Sequence, residues 1–143
     1  MSEVEAPEGT SGLPPSIPIR IGRAWLGTDG IVRIEFGPSD QHTLEDGHEV
    51  VDAHNRLADQ AGVTKVPVLA DIRNVKVGAD HEARNFYVSE KAAARKAAMA
   101  MLTGSMLQKM LGNFFFRVNR PPYPSRMFSD EADALDWLGQ FIA

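Results

Sequence analysis

The sequence predicts an α/β domain: a mixed, mostly parallel sheet with an antiparallel hairpin at its N-terminal side, elements in the order ββαβαβαβα. Three observations predict it. Period-two alternation fills the beginning of the chain, and helix-length segments with cap residues then alternate with short apolar runs. One of those runs, 66–72 (VPVLADI), is apolar on both faces, as a strand at the centre of a sheet must be. Strands alternating with helices favour parallel pairing through right-handed crossovers. The 143 residues fit one domain, which buries about two thirds of its unfolded surface and needs no covalent staple.

Residues 1–16 are rich in Pro and Gly (Pro7, Gly9, Gly12, Pro14, Pro15) and read as a tail, with the domain occupying 17–143. Ile17, Ile19 and Ile21 alternate with Pro18, Arg20 and Gly22, and Val32, Ile34 and Phe36 alternate with Arg33 and Glu35. Thr28-Asp29-Gly30 lies between them, and Asp-Gly suits a tight hairpin, so these two strands are expected to pair. Thr43 and Asp46 have capping-box spacing before a helical pattern through Leu57, Ala58 and Ala61, and Gly62 stands at its C-terminal cap. After the central strand, residues 80–95 favour helix, broken near Ser89. Residues 97–103 suit helix or strand by periodicity; the helix start at Ser105 and Gln108 directly behind them decides for strand. Met106, Leu107, Met110, Leu111, Phe114, Phe115 and Val118 mark one broad helical face, which Asn119 and Pro121-Pro122 end. Residues 126–129 read as a short strand, and Ser129 is expected to cap a last helix with Asp130 and Glu131 in its first turn.

Composition narrows the function classes. The absence of cysteine excludes disulfides, thiolate metal sites and a thiol nucleophile. A net charge of −4, from 15 basic and 19 acidic residues spread along the chain, argues against nucleic acid or an anionic membrane as partner. No run approaches the roughly 18 apolar residues of a membrane span. The acidic start lacks the features of a secretory signal, so the expected location is the cytoplasm.

Segments 66–75 (VPVLADIRNV), 83–102 (ARNFYVSEKAAARKAAMAML) and 110–138 (MLGNFFFRVNRPPYPSRMFSDEADALDWL) resemble small bacterial stand-alone domains of the STAS/SEC14-like type, which have the SpoIIAA-like fold. The resemblance runs from Ile17 to the end. It implies a non-enzymatic interaction or regulatory module, a homodimer, acting on a protein partner. Its SEC14-like side implies instead a carrier or sensor of a small apolar or lipid-like molecule. STAS domains of the anti-sigma-antagonist kind carry a phosphorylatable Ser or Thr after the central strand. The matching stretch here, 73–80 (RNVKVGAD), has no hydroxyl residue, so that charge switch is missing at that place.

The residues offer several constellations and no convincing catalytic, cofactor or metal set. His48 and Asp52 have the i, i+4 spacing of metal ligands, but the second His and a third ligand are missing. Asp71, Arg73 and Asn74 lie where open α/β sheets place ligands, with His81 as a conceivable acid–base partner for Asp71. Thr103-Gly104-Ser105 precedes a helix whose first N–H groups could hold an anion or simply be capped. The face containing Met106, Met110 and Phe114 fits a core stripe, a partner surface or, with Met99 and Met101, the wall of an apolar pocket. Arg117, Arg120 and Arg126 bracket the Pro-rich turn beside Tyr123, where Arg117 or Arg126 could stand at such a pocket's mouth and grip an acidic group.

Overall fold

In a computed structural model, which describes residues 15–142, six strands and five helices appear. They are β1 (Ser16–Ile19), β2 (Gly22–Leu26), β3 (Val32–Phe36), α1 (Leu44–Ala61), β4 (Val66–Asp71), α2 (His81–Tyr87), α3 (Glu90–Ala93), β5 (Lys96–Leu102), α4 (Met106–Asn119), β6 (Ser125–Phe128) and α5 (Glu131–Leu138). A 3₁₀ turn (Gly139–Phe141) follows. The tail expected over 1–16 falls outside the described residues as far as 14, and Ser16 already pairs with Trp25 in the sheet.

The strands lie side by side in chain order, β1 to β6. β1–β2 and β2–β3 are antiparallel; β3–β4, β4–β5 and β5–β6 are parallel. The mixed, mostly parallel sheet is the one expected, with one strand more. The turn at Thr28-Asp29-Gly30 forms, but the first arm of its hairpin is β2, of which the sequence reading assigned only Gly22, and that to the preceding strand. The isoleucine run is not one strand: the chain reverses at Arg20-Ile21, with Ile19 paired to Gly22. Ile21 keeps the alternation going because it is buried beside the reversal, at 4% exposed. In the β2–β3 turn Gly30 adopts φ 83°, a conformation costly for any residue with a Cβ. Asp29 accepts hydrogen bonds there from the Ile31 amide at 3.1 Å and from Arg33.

Local chemistry sets the helix ends. Thr43 and Asp46 form the reciprocal capping box of α1, and Gly62 ends that helix in the left-handed conformation. Asp46 also takes Arg20 in a two-pronged ion pair, which ties the β1–β2 turn to the start of α1. Ser89 caps α3, so the break expected near it is present. The last helix is capped by Asp130, not Ser129: its carboxylate accepts from the amides of Ala132 and Asp133 at 2.8 and 3.2 Å.

The sheet carries two cores. Val66, Val68 and Ala70 of β4 and Met99 of β5 face one side, where Val50, Ala53 and Leu57 of α1 cover them with α2, α3 and α4 alongside. Leu69, Ala98, Ala100 and Leu102 face the other side, under Ala134 and Leu138 of α5. No helix among the described residues is long and apolar enough to cross a membrane.

Candidate functional site

The first core is incompletely filled. Between the sheet and helices α1, α2 and α4 lies a cavity of about 150 Å³. Its floor is Ile34, Val68, Ala70, Met99 and Met101 from the sheet. Its walls are Val50 of α1, Tyr87 of α2, and Leu111, Phe114 and Phe115 of α4. The small side chains at Ala70 and Gly112 leave this space open. Gly112 also lets α4 come close: a Cβ there would stand 2.4 Å from the sulfur of Met127 and 3.1 Å from that of Met101.

Few polar groups reach the cavity. His42 Nε2 and the Tyr87 hydroxyl share a hydrogen bond of 2.5 Å, and burial pushes the His42 pKa down and the Tyr87 pKa up, so both stay neutral. Arg84 donates from Nη1 to the Ala79 carbonyl at 2.8 Å and lies over the Phe114 ring, while its buried Nε has no partner among the described residues. Lys96, at the start of β5, and Tyr123 complete the lining. Burial pushes the Lys96 ammonium down to about 8 and the Tyr123 hydroxyl up.

The broad apolar stripe of α4 divides. Leu111 and Phe115 turn inward and line the cavity, whereas Met106, Leu107, Met110, Phe114 and Val118 are 50–73% exposed. Only Gln108 and Gly112 of this helix are fully buried. Of the pocket wall expected from sequence, Met99, Met101 and Phe114 line the cavity, while Met106 and Met110 point to solvent. Arg117 and Arg126 are exposed and outside the lining; the arginine at the cavity is Arg84.

The other candidates are scattered and locally engaged. Arg73 donates to both carboxylate oxygens of Asp71, at 3.0 and 2.8 Å, and its Nη2 also reaches Glu131 at 3.5 Å. Asn74 is exposed in the following turn. His81 hydrogen-bonds Asn85 on its own helix, so the structure does not bring it together with Asp71. Thr103 is buried, and its amide and hydroxyl both donate to the Phe128 carbonyl. At the start of α4 the Ser105 hydroxyl accepts from the Gln108 amide, and the Gln108 side-chain oxygen accepts from the Gly104 amide at 2.7 Å. Gln108 Nε2 then donates to the carbonyls of Arg73 and Val75, clasping two loops together. Sequence reasoning missed this clasp, and also Lys96 and Arg84. A buried Gln or Lys breaks no pattern, because apolar periodicity reads only the groups that avoid water. His48 packs against Phe86 with ring centres 4.1 Å apart and planes tilted by 41°, and no group of three possible metal ligands exists among the described residues.

The family model described as "Domain of unknown function (DUF7793)" matches residues 24–142. Among solved structures, an uncharacterized protein from the DUF3478 family of Shewanella loihica PV-4, described as having a SpoIIAA-like fold, is 18% identical. That match has a TM-score of 0.54 and covers 88% of this chain and 92% of that one. It shows the fold that the sequence resemblance implied. A protein with unknown function from Arthrobacter sp. FB24 is 26% identical over 80% of this chain and 96% of its own, with a TM-score of 0.29. No curated protein matches the chain.

Proposed function

The chain belongs to the DUF7793 family, and from its SpoIIAA-like fold and its cavity we propose that it is a non-catalytic module that holds a small apolar molecule. The observation that carries this reading is the half-open apolar pocket of about 150 Å³ beside the first core. Protein interiors leave few voids larger than a water, because unfilled space forfeits dispersion contacts. Apolar cavities of roughly 150 Å³ stay dry and take a benzene-sized guest. A binding pocket is typically apolar with a few polar anchors, which is the composition here. Asp71 and His81, the acid–base pair considered from sequence, are each bound to other partners, which favours binding over catalysis.

The methionines provide the test. Methyl-labelled Met spectra of the full chain, titrated with toluene, are expected to show shifts at Met99 and Met101 while Met106 and Met110 stay in place. No shift at Met99 and Met101 overturns the proposal.

A second reading, a protein-interaction module that includes a homodimer, is favoured by the exposed row Met106, Leu107, Met110, Phe114 and Val118. Contiguous exposed apolar area of this kind marks interaction surfaces. Concentration-dependent shifts at Met106 and Met110 in the same spectra favour it.

A further inference from the structure

The polar groups around the cavity are unequally satisfied. His42 and Tyr87 complete each other, whereas Arg84 has the Ala79 carbonyl and the Phe114 ring but leaves its buried Nε without a partner among the described residues. Lys96 is also short of acceptors and is the more buried of the two cations. Its residue is 5% exposed, its Nζ donates to the Ala92 carbonyl at a long 3.4 Å, and the Tyr123 ring centre lies 5.9 Å away. Among the described residues no carboxylate pairs with it. An ammonium has three N–H donors, and a buried one is normally paired with an acid. Although burial lowers its pKa to about 8, the group still carries its proton at neutral pH. The cavity therefore has two under-satisfied cations at the edge of an apolar space, Arg84 and the more deeply buried Lys96.

Resting on the reading that this cavity takes an apolar guest, we propose that the guest is a small organic acid whose carboxylate pairs with Lys96 Nζ. Its apolar body, about the size of a benzene ring, fills the rest of the cavity. A carboxylate supplies the acceptors that Lys96 lacks, in charge-assisted hydrogen bonds that low dielectric strengthens. A hydrocarbon or alcohol of the same shape leaves the ammonium's charge unpaired, and an amine is repelled. The nearest tyrosine hydroxyls stay protonated, so neither adds a negative charge that would turn an acid away.

Isothermal titration of the full chain at pH 7 with benzoate and with benzyl alcohol tests the assignment. The wild type is expected to bind benzoate roughly ten to a hundred times more tightly, the range of a hydrogen bond to a charged group. Lys96→Met is expected to erase that preference and still bind benzyl alcohol, which also reports that the variant keeps its cavity. Equal affinities in the wild type overturn the acid assignment and leave the apolar-guest reading standing. A benzoate preference that survives Lys96→Met overturns the pairing with Lys96, because it moves the anion to Arg84. Binding of neither compound overturns both.

Discussion

His54 shows how one side chain links burial to pH. It is 0% exposed, and its Nε2 lies 3.0 Å from the Arg95 carbonyl. A carbonyl only accepts, so the ring proton sits on Nε2, and Nδ1 is a buried acceptor with no partner among the described residues. Burial, reinforced by the Lys96 charge, pushes its pKa down to about 3. The unfolded chain binds this proton near pH 6.5, the folded chain only near 3, so the unfolded state holds more protons between those values. Stability is therefore expected to fall as pH drops below 6.5, by about 2 kcal/mol on reaching pH 5. His42 shifts in the same direction and adds to the slope. Urea unfolding at pH 6.5 and pH 5 checks this: His54→Gln, which can still donate to the Arg95 carbonyl, is expected to flatten most of the dependence. A full slope retained in that variant would assign the effect to His42.

At the level of elements, α4 is held by its ends and by one close approach. Ser105 and Gln108 secure its start, Gly112 brings it onto Met101 and Met127, and Arg120 closes it at φ 46° with its amide bonded to the Phe116 carbonyl at 3.2 Å. Left-handed backbone is unfavourable for a residue with a Cβ. Arg120→Gly is expected to raise stability by about 0.5–1 kcal/mol, read as a higher urea midpoint at unchanged slope; an unchanged or lower midpoint refutes it. Helix starts such as Thr43, Ser89 and Ser105 were legible in the sequence because a cap bonds an amide only three residues away. The inner face of α4 was not. The helix meets the sheet and loops through Gln108, Gly112 and Phe115, while Met106 and Met110 of its apolar row turn outward. Periodicity reveals that a row exists, but what covers it is decided by residues distant in sequence. The reversal at Arg20-Ile21 stayed hidden for a related reason: Ile21 is buried like a strand residue, so alternation runs straight through the turn.

For the molecule as a whole, one sheet serves two cores, so neither can be lost without the other. Leu57, 1% exposed, sits in the first core and Leu138, 0% exposed, in the second. Each Leu→Ala change is expected to cost about 2–5 kcal/mol. Both variants should unfold in a single step, with far-ultraviolet circular dichroism and tryptophan fluorescence coinciding; separate transitions for the two probes would show the faces to be independent. The general layout was readable from sequence because the apolar run of β4 and the alternation of helix and strand are local signals. The cavity was only partly readable: Met99, Met101 and Phe114 were named, but Gly112 contributes by lacking a side chain and Lys96 by an unpaired charge. The strand order has a further consequence for how the molecule is made. Every strand neighbours the one before it in the chain, yet the parallel pairs join residues such as Val32 and Val68 or Leu69 and Ala100 across a helical crossover, so loop closures are long and slow the folding. A polypeptide leaving the ribosome can add β1 through β6 one at a time, each onto an edge already formed. Leu69, Ala98, Ala100 and Leu102, however, are covered mainly by α5, with Phe128 and Phe141 packed beside it. The sheet thus emerges with one greasy side bare, and the nascent chain stays prone to aggregation until its final helix has been synthesised and has docked.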